Sequence, residues 1–432
     1  MAQPQAPTTA NAQDSNANGA FAALRVPGFA WFLLGTTLSN SAQWIQQVTL
    51  SWLVYDLTSS GALLGTLNLV RSIATLGLAP VAGVAIDRFP RRALLYATNI
   101  WLFTISLVFG LLLVANPTAL WPLFLFTFLG GVAQAVSMPL VQTMVFSLVP
   151  RPLAPSAVAL VQTGWALMRS IGPALGGLLI LWVGPAGNFF VQAVAYILVA
   201  FTIVKLNLPR EPVSRATASA RGGFREGWDY IVAEHTTRAF LFMGWVLPLF
   251  IIPSFSALPP IYAKDVFAGG PETLGALLSA VGIGGIAGGV VTASLGHLER
   301  RGLLQLAALF LLSLTLIGFA LSSELWLALV FLVLAGFFEM IYLTTNQTLL
   351  QLSIPDALRG RVTGIVSLNA GLMPVGALIA GIGADLVGPQ MITILLSGAA
   401  GAIAVIVFFA SPTIRNYRLS RALATASAAP TP

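Results

Sequence analysis

Apolar runs about 20 residues long recur through almost the whole sequence, and this feature limits its fold more than any other. A helix of about that length spans the hydrocarbon core of a bilayer. The runs fall approximately at 29–55, 61–86, 93–115, 119–149, 153–182 and 186–206, then at 238–261, 272–295, 302–321, 325–352, 359–384 and 389–411. They predict an all-α membrane protein with twelve transmembrane helices. Composition agrees: 57% of the 432 residues are hydrophobic and 8% are charged, where a soluble domain carries roughly 25% charged residues. So much apolar surface has to face lipid, where a helix satisfies its own backbone hydrogen bonds.

The basic residues set the orientation. With the N-terminus in the cytoplasm and twelve crossings, that side receives Arg25, Arg88, Arg91, Arg92, Arg151, the six between Lys205 and Arg238, Arg300, Arg301, Arg359, Arg361, and the three from Arg415 onward. These make eighteen of the 21 Lys and Arg. The opposite side receives only Lys264, and Arg71 and Arg169 fall inside spans. Cytoplasmic loops of membrane proteins carry such an excess, so a cell inner (plasma) membrane location with both termini cytoplasmic is expected. The net charge of +7 is thereby explained without nucleic acid as a partner.

The two halves of the chain echo one another. Gln142, Thr143 and Pro150 match Gln347, Thr348 and Pro355 at the ends of helices 4 and 10. Arg91-Arg92 followed by Leu94-Leu95 matches Arg300-Arg301 followed by Leu303-Leu304 at the starts of helices 3 and 9. The expected division is a disordered tail over 1–24, a six-helix bundle over 25–206, a linker over 207–237, a second bundle over 238–411 and a tail over 412–432. Within the linker, Phe224, Trp228, Ile231 and Val232 fall at helical spacing, which suggests an amphipathic helix at the membrane surface.

The gap after helix 2 contains Gly83, Asp87, Arg88, Pro90, Arg91 and Arg92. Gly83 permits close packing, Asp87 can face a helix N-terminus, and the arginines anchor the loop; simple positive-inside charge is the alternative. This stretch resembles the loop 2–3 signature of the major facilitator superfamily, G-x-x-x-D-R-x-G-R-R, with Pro90 in place of the second Gly. Trp44 to Val48, Trp52 to Thr58 and Pro355 to Val362 are similar to the bacterial branch of enterobactin exporters, macrolide-efflux proteins and transmembrane secretion effectors. The resemblance implies two pseudo-symmetric six-helix bundles rocking about a central site. It also implies that Asp87 locks the cytoplasmic side against helix 11, which begins near Arg359 and Gly360. In helix 5, Gly172, Pro173, Gly176 and Gly177 resemble the family's antiporter signature, with Met168 where the leading Gly is expected. That motif implies export coupled to proton entry; helix packing through small residues is the alternative.

Ionisable residues inside a membrane are candidates for function. Arg71 lies near the middle of helix 2, Arg169 near the middle of helix 5, and Glu339 in helix 10. A carboxylate in a low-dielectric cavity binds protons more readily than one in water, which suits Glu339 as a proton carrier; a structural pair is the alternative. Asp385, at the outer end of helix 11, reads as simply exposed. Thr36, Asn40, Gln43 and Gln47 share one face of helix 1, and Glu339, Tyr342 and Asn346 share one of helix 10. Helix 4 adds Gln134 and Ser137. These faces are expected to line a substrate cavity, with hydrogen bonding between helices as the alternative.

Cysteine is absent and histidine is limited to His235 and His297, so disulfides, thiolate chemistry and a metal site are not expected. No phosphate-binding loop or nucleophile elbow is present, and neither an enzyme nor a cofactor is expected. The leading expectation is a monomeric secondary transporter exporting an amphipathic small molecule, a siderophore or drug, against a proton gradient. Uptake, lipid flipping and a non-transporting membrane sensor remain open.

Overall fold

A computed structural model describes residues 21–115, 119–206, 220–295, 298–355, 358–366, 369 and 371–417, with the side chains of 220–224 outside that description. The first 20 residues, the linker stretch 207–219, His297 and the chain beyond 417 lie outside the described residues.

Among the described residues, eight helices are long and apolar enough to cross a membrane, or nine with one bent pair counted as a single span. Two further rods, and the division of one long helix at Gly184, complete the expected series of twelve. Phe29–Thr58 (α1) is 30 residues long and carries the polar face noted above. The bent pair, Gly61–Gly77 with Ala79–Arg88, is α2; its halves meet at 43°. Pro80 stands at the start of the second piece and cannot donate a backbone hydrogen bond, which is the usual cause of such a kink. Arg91–Ala115 is α3 and Trp121–Leu148 is α4.

The next helix, Ala154–Val204, runs on without a loop but is interrupted at Gly184, where φ is 71° and ψ is 172°. That left-handed φ favours glycine. The stretches before and after it are α5 and α6, which the sequence reading separated by a short gap. His235–Val266 is α7, irregular where Pro248, Pro253, Pro259 and Pro260 remove helical hydrogen bonds. Pro271–Ser294 (α8), Arg301–Leu321 (α9) and Leu325–Leu352 (α10) are regular. Arg359–Val366 and Leu372–Val387 together form α11, and Pro389–Ala410 forms α12.

Each group of six packs chiefly on itself. Phe109 of α3, Phe126 of α4 and Phe189 of α6 form a ring cluster with centroids 4.6 to 5.1 Å apart. In the second group Leu309, Leu312 and Leu316 of α9 are fully buried. Outward-facing Trp182, Leu386 and Phe409 are each more than 70% exposed, as lipid contact requires. The surface helix Ala220–Ala233 lies against the start of α11: Arg361 pairs with Glu226, and the Tyr230 hydroxyl donates to the Ser353 carbonyl at 2.9 Å. Burial raises the Tyr230 phenol above its ordinary pKa. Ile231 of this helix is buried, whereas Trp228 and Val232 are exposed.

The two groups meet along two seams, α2 against α11 and α5 against α8. Both are seams of glycine. A Cβ on Gly275 of α8 would lie 2.7 Å from the Pro173 carbonyl oxygen, and one on Gly282 would lie 2.5 Å from the Ser170 Cα. Without side chains there, the backbones of α5 and α8 approach closely. Gly275→Leu should force this seam apart, a kind of overpacking that costs about 1–3 kcal/mol. A drop of several degrees in the detergent-solubilised melting temperature is expected. Gly398→Leu, at a position with open space around it, should leave that temperature unchanged.

Candidate functional site

The seams close the molecule on one face only. On the face opposite the termini, Asp385 at the end of α11 accepts hydrogen bonds from the first turn of α2: Ser60 Oγ at 3.0 Å, Gly61 N at 2.6 Å and Ala62 N at 3.0 Å. A carboxylate there satisfies otherwise unpaired N–H groups and opposes the positive end of the helix dipole. The expectation that Asp385 is merely exposed is therefore corrected. Beside it, Tyr55 of α1 donates to the Asp265 carboxylate of α7. Lys264 reaches Asp56 at 2.7 Å. Tyr55 and Asp56 stood in a stretch quoted for its family likeness; nothing in their spacing identified α7 as their partner.

Further toward the termini the seam ends. A Cβ on Gly371 would lie 3.6 Å from Leu76 Cδ1, just before the bend in α2. Beyond it, a Cβ on Gly83 or Gly360 would meet nothing within 4 Å. Asp87 and Arg88 are exposed, and the Asp87 carboxylate has no hydrogen bond among the described residues. Close packing at Gly83 and the lock of Asp87 on α11 are thus absent from this conformation, because the two groups have separated at that level. Arg91 and Arg92 instead tie the loop to their own bundle, through Ser147 Oγ at 2.6 Å and the Val204 carbonyl at 2.7 Å. Arg359 is exposed at the start of α11.

Where the closed and open regions meet, Arg169 of α5 and Glu339 of α10 form an ion pair. One guanidinium nitrogen lies 2.8 and 3.1 Å from the two carboxylate oxygens, with side-chain exposures of 17% and 6%. The Arg169 guanidinium also sits 5.8 Å from the centre of the Trp165 ring, within cation–π range. Removing one partner of so buried a pair leaves an uncompensated charge, which costs about 3–5 kcal/mol. Sequence reading marked both residues separately; only the fold brings them together.

The antiporter-like motif lies beside this pair. A Cβ on Gly172 would lie 2.7 Å from Trp44 Cβ, and one on Gly176 would lie 3.2 Å from Ile45 Cα, so both admit α1. Gly177 faces the Pro271 carbonyl and Pro173 faces Gly275, so these admit α8. One motif thus serves packing within a bundle and packing between bundles.

Asn40, Gln43, Gln47 and Gln134 are half-buried and make no side-chain hydrogen bond among the described residues, as groups facing an open cavity would. Gln46, absent from the expected set, is buried with its amide nitrogen against Gly130. Arg71 is half-buried. Two expected lining residues are corrected. Tyr342 is buried and donates to the Met243 carbonyl of α7 at 2.5 Å. Asn346 is buried and accepts from Gln305 Nε2 of α9 at 2.7 Å. Both join helices within the second group, so their shared helical face with Glu339 does not make a continuous cavity wall. A separate groove of about 530 Å³ between α7 and α12 contains none of the expected cavity residues.

Two packed six-helix groups, meeting at glycine seams around a buried ion pair, define a membrane transporter of the major facilitator fold. Solved structures agree on the fold. A bacterial homologue of the human lysosomal transporter Spinster, inward-facing and unoccupied, superposes with a TM-score of 0.70 at 16% identity, over 90% of this chain and 98% of the other. A D-xylose–proton symporter gives 0.67 at 14% identity, over 91% and 98%. The chain belongs to the transmembrane secretion effector family, whose sequence model matches residues 18–428. It is 26% identical to the staphyloferrin A transporter of Staphylococcus aureus, over 83% of this chain and 90% of that one. It is 21% identical to macrolide efflux protein A of Streptococcus pyogenes, over 83% and 89%.

The cap supplied by Asp385 gives a test of the closed face. Helix caps are worth about 0.5–2 kcal/mol, so Asp385→Ala should shift the equilibrium toward opening on that face by roughly 3- to 30-fold. The chain has no cysteine, so a lone Thr58→Cys reports without background. A membrane-impermeant maleimide should label it several-fold faster in the Asp385→Ala protein than with Asp385 present. Equal rates would show that the cap does not hold the face shut.

Proposed function

We propose that this protein exports an amphipathic small molecule, a siderophore or drug, in exchange for protons, by alternating access between two bundles in the cell's inner membrane. The observation that carries the reading is the Arg169–Glu339 pair, buried between the bundles where the closed seam gives way to the open side. Placing the arginine-rich loops in the cytoplasm makes this conformation open to the cytoplasm, with the outer face sealed by Asp385 and by the α1–α7 contacts. The bundles are residues 25–206 and 238–411, and the chain works as a monomer.

Glu339 is the proton carrier in this reading. In the cytoplasm-facing state Glu339 is paired with Arg169, and the proton has left toward the cytoplasm. Protonation of Glu339 removes its attraction for Arg169 and frees the bundles to part on the outer side; in the outward-facing state that proton comes from outside. Asn40, Gln43, Gln47 and Gln134 offer uncharged hydrogen-bonding groups to a passing substrate, and Trp44 and Trp165 offer aromatic faces. Asp87 latches α11 when the cytoplasmic side closes, with Arg359 at the start of that helix, and the glycines of α5 let the seams open and close. The relatives named for macrolide efflux and for staphyloferrin A support a small organic cargo.

The experiment is accumulation inside energised inverted vesicles, the export direction, across a panel of dyes, macrolides and siderophores, with and without a protonophore. Uncoupling should stop transport by the native protein. Glu339→Gln should slow efflux at least tenfold and make the remainder indifferent to the protonophore. Efflux by the native protein that survives collapse of the gradient would remove the coupling role. Gradient-driven movement in the other direction would establish uptake instead.

Pairing itself can be tested in the same proteins. Glu339→Gln leaves Arg169 unpaired, so it should be less stable than the double variant Arg169→Gln/Glu339→Gln, with a coupling of about 1–3 kcal/mol. Additive melting shifts would show that the two side chains do not interact.

A further inference from the structure

Arg71 sits near the middle of α2, and its guanidinium has neither an ion pair nor a hydrogen bond among the described residues. Among the described residues the charged or titratable group within its electrostatic reach is the Tyr196 hydroxyl of α6. Tyr196 is fully buried, and its hydroxyl has no hydrogen-bond partner among the described residues. One turn away on the same face of α6, fully buried Gln192 has neither amide atom bonded. Phe109 packs on Phe189, and α3 and α6 run in opposite directions. Ser106, one turn from Phe109, therefore lies at about the level of Gln192. Its hydroxyl is also buried and unbonded.

Buried polar groups are normally paired, yet the Tyr196 and Ser106 hydroxyls and the Gln192 amide lack partners among the described residues, as does the half-buried Arg71 guanidinium. Arginine does not escape burial by releasing its proton, and the Glu339 charge is already taken by Arg169. The region is rich in donors and lacks an acid, so what completes it must bring the negative charge. We infer that Arg71, backed by Tyr196 and Gln192, is an anion-binding site, and that the transported molecule carries at least one carboxylate or similar small acidic group. This rests on the reading of the chain as a transporter working through that cavity, and it assigns the cargo a charge that the reading leaves open.

The test is equilibrium binding to the full chain in lipid nanodiscs, with no gradient present. The probes are 1-pyrenebutyrate and its uncharged amide, followed by energy transfer from the protein's 10 tryptophans, with empty discs subtracted. The acid should bind at least tenfold tighter than the amide. Arg71→Gln should erase that preference without changing amide binding, and Arg71→Lys should keep part of it. Tyr196→Phe should weaken acid binding several-fold and provides the test if Arg71→Gln fails to fold. Equal binding of acid and amide to the native protein, or a preference untouched by both Arg71→Gln and Tyr196→Phe, would overturn the inference. Acid preference without efflux of any compound would keep this site and remove export; efflux without acid preference would do the reverse.

Discussion

The ion pair between Arg169 and Glu339 is the interaction on which the rest of this structure turns. Two charges at mid-membrane are tolerable only together, because hydrocarbon offers neither of them water. Each comes from a different bundle, so the bundles cannot separate at that level while both side chains stay charged and paired. Among the described residues the other contacts between the halves are more exposed polar contacts at the rim, the Lys264–Asp56 pair among them, glycine seams, and a hydrogen bond from the Ala174 N–H to Ser279 Oγ across the α5–α8 seam. A pair of this type is not strong evidence of stability in itself. In the proposed function its significance is that protonating Glu339 would remove the charge that requires Arg169, which would make a packing contact sensitive to a proton.

The seams explain how such a contact can be reversible. Along α2–α11 and α5–α8 the backbones meet through glycine, so closure needs no interdigitation of large side chains and opening leaves no large cavity. Asp385 and Asp87 occupy comparable positions at opposite ends of the α2–α11 contact, each an aspartate near a helix terminus. Asp385 is engaged with the first turn of α2, and Asp87 makes no hydrogen bond to α11 among the described residues. An arrangement in which the two caps alternate needs no further moving part, and it follows from the antiparallel placement of one helix from each bundle.

Much of this was legible in the sequence, for physical reasons. Span positions follow from the cost of exposing polar backbone to lipid, so apolar length alone located nearly all the rods. It did not reveal that Gly184 links α5 and α6 without a loop, because one left-handed residue reverses nothing in the hydropathy. Arg169 and Glu339 were each conspicuous as buried charges, but their separation of 170 residues carries no sign of pairing. Tyr342 and Asn346 were misplaced for a different reason. Helical periodicity tells which residues share a face, not whether that face meets water or another helix, and a neutral polar side chain serves either. Asp385 was overlooked because a carboxylate at a helix end looks solvated until a second helix N-terminus is brought onto it.

The most direct measurement of the account is the separation of the two bundles on the two faces as a function of pH. Spin labels at Gly83→Cys and Gly360→Cys report the side of the termini, and labels at Thr58→Cys and Val387→Cys report the opposite side, in a chain with no cysteine of its own. If protonation of Glu339 releases Arg169, acidification shortens the first distance and lengthens the second, and Glu339→Gln abolishes the pH dependence of both. Distances that do not change with pH, or a pH response that persists in Glu339→Gln, would contradict the account.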